Sequence, residues 1–277
     1  MAIKRQGSAR AFLIELKALF HLNHKNVACL VGFCEDSNEY ALVYDYMKNG
    51  THHDHLHELQ STPLLSSWTA RIKVALDIAR GIEYLHVSAV PQIIHRSIKP
   101  SNIFLDAMLT AKLSNFNLSM EAPVDDWSGC ECERPVDILR YTAPDYFIAS
   151  LETKVDVYSF GVVLLEMLLG CKAYDANEND EKRHIVNFVA PYIAQKEIHR
   201  ILDRKVPPPT PLEKEALANV ASLALDCVSK ERVLRPSMFK VANNIQSALE
   251  GILEGQVIAD NSIVCNCESI SDAESEF

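Results

Sequence analysis

Apolar positions change their spacing along this chain, and the change divides it. Ala2-Ile3-Lys4 reads as a short strand. Phe12, Leu16 and Leu19 then share one face of an amphipathic helix, and Leu30-Val31-Gly32-Phe33 and Tyr40-Ala41-Leu42-Val43-Tyr44 are strand-like runs. A small α+β unit over residues 1–47 follows. From Trp68 the pattern is helical, with Ile72, Ala75, Leu76, Ala79, Ile82 and Leu85 at steps of three and four, and Val74 and Ile78 widening the apolar face toward full burial. Strand-like Gln92-Ile93-Ile94 and Ala111-Lys112-Leu113 come next. A near-continuous apolar helix is predicted from Val157 to Leu169, with further helices over about 212–228 and 237–250. Pro207-Pro208-Pro209-Thr210-Pro211 is a stiff connector into the first of these two. Residues 48–254 therefore form a mainly helical second part, while 255–277, polar, acidic and poor in aromatics, are expected to be disordered.

Composition narrows the class. With 48% hydrophobic and 23% charged residues, 277 residues suffice for one large core or two lobes. The longest apolar run, Phe160 to Leu169, is interrupted by Glu166 and falls short of the roughly 20 residues a bilayer span needs. The N-terminus lacks the apolar core of a signal peptide. A cytoplasmic location without a membrane span is the expectation, and eight scattered cysteines fit reduced thiols. The net charge of −10 argues against a nucleic-acid partner, although seven of the acids lie beyond Lys240, the last basic residue.

The chemistry concentrates in His95-Arg96-Ser97-Ile98-Lys99-Pro100-Ser101-Asn102, and thirteen residues later in Asn115-Phe116-Asn117. The first keeps the frame of a protein-kinase catalytic loop, H-R-D-x-x-x-x-N, with Ser97 in the place of the aspartate; the second stands where D-F-G is expected. Ala2-Ile3-Lys4 resembles V-A-I-K, Glu15 resembles the glutamate that pairs with its lysine, and Asp45-Tyr46-Met47 resembles the hinge after a tyrosine gatekeeper, Tyr44. Ala143-Pro144-Asp145 follows in place of A-P-E, then Asp156 to Gly161 at the start of the central helix, and Arg235, which the resemblance pairs with Asp145. The order of these motifs resembles the protein-kinase fold over about residues 4–250. Leu42 to Gly50 and Arg80-Gly81-Ile82-Glu83-Tyr84-Leu85-His86 look like plant receptor-like kinases of the Crinkly-related group.

The resemblance implies an α+β, two-lobed kinase-like fold: a reduced N-lobe over 1–47, a helical C-lobe over 48–254 and an acidic tail. No glycine falls in a G-x-G-x-x-G pattern, so the first two strands and the hairpin that covers the phosphates are expected to be missing. It also implies roles. Lys4, Glu15, Met47, Asn102 and Asn115 hold the nucleotide positions, and Ser97, Lys99 and Asn102 the catalytic ones. His95, Phe116 and Leu19 would stack as an apolar spine between the lobes, and Asn117, in the glycine position of D-F-G, would keep a left-handed turn.

Two departures bear on function. A serine has no proton-accepting charge at neutral pH, and loss of a general base typically costs about 10²- to 10⁴-fold. An amide at 115 offers Mg²⁺ a neutral ligand where carboxylates are normal. The expectation is a catalytically impaired pseudokinase that acts as a scaffold or modulator. No cofactor is required, though weak ATP/Mg binding remains open, and the partner is a receptor-like kinase or another signalling protein, at the plasma membrane only through that partner. Docking is expected through the C-lobe and the acidic segment carrying Glu121, Asp125, Asp126, Glu131 and Glu133. The alternatives are a weakly active Ser/Thr kinase using Lys99 and Asn102, and a truncated kinase gene product. His52, His53, His55 and His57 contain an i, i+4 pair, yet helix-start packing is preferred over zinc. Cys130-Glu131-Cys132 and Cys265-Asn266-Cys267 are too closely spaced for a paired zinc knuckle.

Overall fold

The computed structural model describes residues 1–36, 39–59, 63–122, 140–144, 152–174 and 184–271. The first part is a three-stranded antiparallel sheet with one helix against it. Strand β1 (Ala2–Gln6) pairs with β3 (Glu39–Tyr44), and β3 with β2 (Leu30–Asp36), in the order β1-β3-β2. Lys4 sits opposite Leu42, and the β2 register slips between Leu30 and Gly32. Side chains alternate across a strand, so Ala2, Lys4 and Gln6 turn inward together while Ile3 and Arg5 face out. Helix α1 (Ala9–Phe20) starts at Ser8, whose Oγ accepts a hydrogen bond from the Ala11 amide at 3.1 Å. Phe12, Glu15 and Leu19, at steps of three and four, form its buried stripe. A carboxylate is thus carried on an otherwise apolar face, opposite the inward side of β1.

The second part is built on helices. Helix α2 (Trp68–Glu83) is capped by Ser67 and packs against α6 (Met238–Ser271), with the ribbon of β5 (Ile103–Leu105) and β6 (Ala111–Leu113) alongside. Strands β4 (Ile93–Ile94) and β7 (Met120–Glu121) pair antiparallel in a separate two-stranded sheet. Helix α3 (Lys154–Leu169) is buried along nearly its whole length, as its unbroken apolar run predicts. It approaches α5 (Pro211–Cys227) closely at Gly161, where a Cβ would stand 2.7 Å from Cys227 and Val228 side-chain carbons, and it ends at Gly170 with φ 67°. The proline connector is extended up to Thr210, which forms a capping box with Glu213 at the start of α5, and Trp68 Nε1 donates to the Pro207 carbonyl at 2.9 Å. Arg71, buried, ties α2 to the Met167 carbonyl and to Asp203, each at 2.6 Å.

One element is new and two expectations change. Helix α4 (Ile185–Ala194) was not foreseen, because Pro191 inside it reads as a breaker; near its C-terminal end the ring removes a single donor. Helix α6 runs to Ser271, through most of the stretch assigned to a disordered tail. Beyond Gly255 that stretch contains no glycine or proline, and extending an existing helix needs no new nucleus. The left-handed residue of Asn-Phe-Asn is Asn115 (φ 64°), not Asn117.

Candidate functional site

Between the two parts lies a cleft of about 390 Å³, lined at one end by Ala2, Ala28, Met47 and Phe104 and at the other by Lys4, Glu15, Asn102 and Asn115. The polar end is one connected chain of hydrogen bonds. Lys4 Nζ stands 2.6 Å from Glu15 Oε2 and 2.6 Å from Asn115 Oδ1. Asn115 Nδ2 donates to Asn102 Oδ1 at 3.0 Å, and Asn102 Nδ2 donates to both the Ser97 carbonyl and Ser97 Oγ at 2.8 Å. The direction of this chain is forced. An ammonium only donates, so the Asn115 atom facing it is oxygen; a carbonyl only accepts, so the Asn102 atom facing Ser97 is nitrogen. Both amide oxygens are therefore engaged.

Glu15, fully buried, is the anchor of the upper half. Besides Lys4 it accepts from Gln6 Nε2, from the Tyr44 hydroxyl at 2.8 Å and from the Phe116 amide at 3.1 Å. Burial and the adjacent carboxylate push the Tyr44 hydroxyl far above its ordinary range, so it remains a donor. Gln6 went unnoticed in the sequence, although its parity with Lys4 on β1 places it on the same face.

The lower half rests on Asp156, fully buried at the start of α3. Its carboxylate accepts from the backbone amides of His95 (2.8 Å) and Arg96 (2.7 Å) and pairs with His86 Nε2 at 2.9 Å. Burial pushes its pKa up, but the His86 hydrogen bond and charge outweigh that and hold it below the ordinary carboxylate value. This clamp fixes Arg96 in a left-handed conformation (φ 66°) that a non-glycine residue adopts only under constraint. His95, with pKa lowered by burial, accepts from the Ser97 amide through Nδ1 and so donates through Nε2 to the Ser114 carbonyl at 3.1 Å. Its ring, fully buried, lies 4.6 Å from that of Phe116, which shares one core with Leu19.

The predicted residues therefore come together: Lys4, Glu15, Asn102, Asn115 and Ser97 in one network, and Met47 at the apolar end. Lys99 is half-buried at the start of the short 3₁₀ turn Pro100–Asn102. Arg235 is buried, donates to the Ser229 carbonyl at 2.9 Å and lies 5.1 Å from the centre of the Tyr158 ring; Asp145 falls outside the described residues. So do Asp125, Asp126, Glu131, Glu133, Cys130 and Cys132, whereas Glu121 pairs with Lys17 at 3.0 Å. Among the described residues no group of three or more His, Cys, Asp or Glu side chains has metal-holding geometry. His55 Nε2 donates to the Asn49 carbonyl at 2.6 Å, and His52 is completely buried. No helix among the described residues is long and apolar enough to cross a membrane.

The protein kinase domain family matches residues 2–245. The chain belongs to the protein kinase family. It is 50% identical over 256 residues to the serine/threonine-protein kinase-like protein CCR4 of Arabidopsis thaliana, covering 91% of this chain and 34% of that protein. The putative serine/threonine-protein kinase-like protein CCR3 of the same plant is 42% identical over 262 residues, covering 89% of this chain and 32% of the relative. Receptor protein kinase WSS1 of Oryza sativa subsp. japonica is 40% identical over 244 residues, 86% of this chain and 26% of that receptor. The chain thus spans about a third or less of the length of these relatives. It is a kinase-domain homologue of plant receptor-like kinases, with an α+β, two-lobed arrangement.

Proposed function

We propose that the chain is a pseudokinase-type signalling module: a kinase fold that modulates a partner without efficient phosphate transfer of its own. The observation that carries this reading is the chain Lys4–Asn115–Asn102–Ser97, in which the group at the proton-accepting position is a hydroxyl and the group at the metal position is an amide. Ser97 Oγ is neutral, buried and already accepting from Asn102, so it supplies no base; such a loss typically costs about 10²- to 10⁴-fold. Magnesium does not fit this donor set. It is held mainly by one or two carboxylates and dehydrates reluctantly, whereas here two neutral amide oxygens are both engaged, one of them by an ammonium.

Partner docking is the function left to such a fold. Val233, Leu234 and Phe239, close in sequence on the C-lobe, are 83%, 66% and 57% exposed. A receptor-like kinase or another signalling protein is the proposed partner, with the cytoplasmic face of the plasma membrane as the proposed place. A weak Ser/Thr kinase is the second reading, favoured by the intact 2.6 Å Lys4–Glu15 pair, with Lys99 and Asn102 as its working groups. Incubating the purified chain with labelled ATP, Mg²⁺ or Mn²⁺, and a generic substrate separates the two. The scaffold reading expects incorporation no higher than in Lys4→Met; transfer that this substitution abolishes establishes the weak kinase instead.

A further inference from the structure

The mismatch with magnesium has a positive side. Lys4 carries three N–H donors and uses two, on Glu15 and Asn115; Asn115 carries two amide N–H donors and uses one, on Asn102. Both side chains line the cleft. Its polar end thus retains donors, while each amide oxygen already accepts a hydrogen bond. Two acids line it: Glu15, already accepting from Lys4, Gln6, Tyr44 and the Phe116 amide, and Asp45, exposed beyond the apolar part. A phosphate oxygen entering here meets an ammonium and an amide N–H; a divalent cation meets, in Asn115 and Asn102, only neutral amide oxygens that each already accept a hydrogen bond. The cleft volume, about 390 Å³, is within the range of small-ligand sites, and the Ala2, Ala28, Met47 and Phe104 end suits a flat heterocycle.

We propose that this cleft binds an adenine nucleotide as its free anion, and that Mg²⁺ weakens the binding instead of supporting it. The proposal rests on the reading of the chain as a kinase fold without transfer activity. In a kinase whose site carries carboxylates, those groups repel unneutralised phosphates until a metal intervenes. Here Asn115 removes that repulsion, and Lys4 supplies the positive charge directly. Magnesium in solution then competes for the phosphates: it neutralises the charge Lys4 attracts and keeps the waters and ligand geometry it demands, with no uncommitted carboxylate at the polar end to replace them.

The sign of the effect makes this testable. ATP titrated calorimetrically into the full chain in EDTA is expected to bind at one site, and to bind about three- to tenfold more weakly in millimolar Mg²⁺. Lys4→Met should abolish the binding in EDTA. Asn115→Asp should reverse the dependence, costing about tenfold in EDTA through carboxylate–phosphate repulsion and regaining it with Mg²⁺. Circular dichroism checks folding; if Asn115→Asp does not fold, Asn102→Asp introduces the same charge next to it and is expected to reverse the dependence too. Absence of ATP binding in EDTA overturns the proposal. So does equal or tighter binding with Mg²⁺, binding that survives Lys4→Met, or a folded aspartate variant that keeps the wild-type dependence. None of these failures touches the scaffold reading, which falls only to phosphate transfer in the separate assay.

Discussion

Two of the polar networks among the described residues, one within the second part at Asp156 and one at the cleft between the parts, differ in charge. Around Asp156 a fully buried carboxylate holds two backbone amides and a histidine; at Asn115 in the cleft, and at Ser97 buried behind it, amide and hydroxyl occupy the places where the family resemblance implies carboxylates. The first network shapes the loop and keeps its charge. The second would act on a ligand and is neutral except for the Lys4–Glu15 pair. Charge is thus present where it holds backbone geometry and absent at the two positions where the resemblance implies carboxylates.

If that contrast is right, substitutions should separate by network. Asp156→Ala carries the largest expected effect. It leaves one buried and one part-buried backbone amide and His86 without their acceptor and should cost about 3–5 kcal/mol in urea unfolding. A loss under about 1 kcal/mol would show that the clamp does not hold the loop.

Acid should act on the buried ionisable groups next. His52, with neither ring nitrogen bonded, has its pKa pushed down to about 3 by burial and then by Arg71. A base that folding keeps neutral contributes stability that is whole above its unfolded pKa of about 6.5 and declines as pH falls toward its folded value. Asp156, depressed in the fold, adds a second loss once pH falls below about 3.9. Midpoints of thermal unfolding should therefore fall from about pH 6.5 downward, and His52→Phe should flatten the first part of that slope.

Cleft substitutions should be milder. Asn115→Ala breaks the link between Lys4 and Asn102 in a partly exposed site and is expected to cost about 1–2 kcal/mol. Ser97→Ala is the smallest: Asn102 Nδ2 keeps the Ser97 carbonyl, so the loss should be under about 1 kcal/mol, read by the same urea titration. A larger loss from Ser97→Ala than from Asn115→Ala would place the stabilising weight on the hydroxyl.

Most of the fold was legible because its signals are local. The apolar run of α3, the steps of three and four in α2 and the parity of β1 each report burial directly. The motif order then placed Lys4, Glu15, Asn102 and Asn115 in one cleft. What stayed hidden depends on neighbours distant in sequence. Gln6 and Tyr44 join Glu15 only once β1 and β3 pair beside α1. The positive φ at Asn115 instead of Asn117 accompanies its bonds to Lys4 and Asn102, contacts that the three-residue motif does not reveal. Helix α4 escaped because Pro191 dominates a short window, and α6 overran its predicted end because composition says less about a segment than the helix it continues.

If the cleft lacks the charge to hold a catalytic divalent cation, the metal itself will report it. Electron paramagnetic resonance of Mn²⁺, titrated into the full chain alone and with ATP, reads this directly through the loss of free-ion signal on binding. No protein-dependent loss of that signal is predicted, beyond what ATP takes up in buffer. One bound Mn²⁺ per chain, released by Asn115→Ala, would contradict the account.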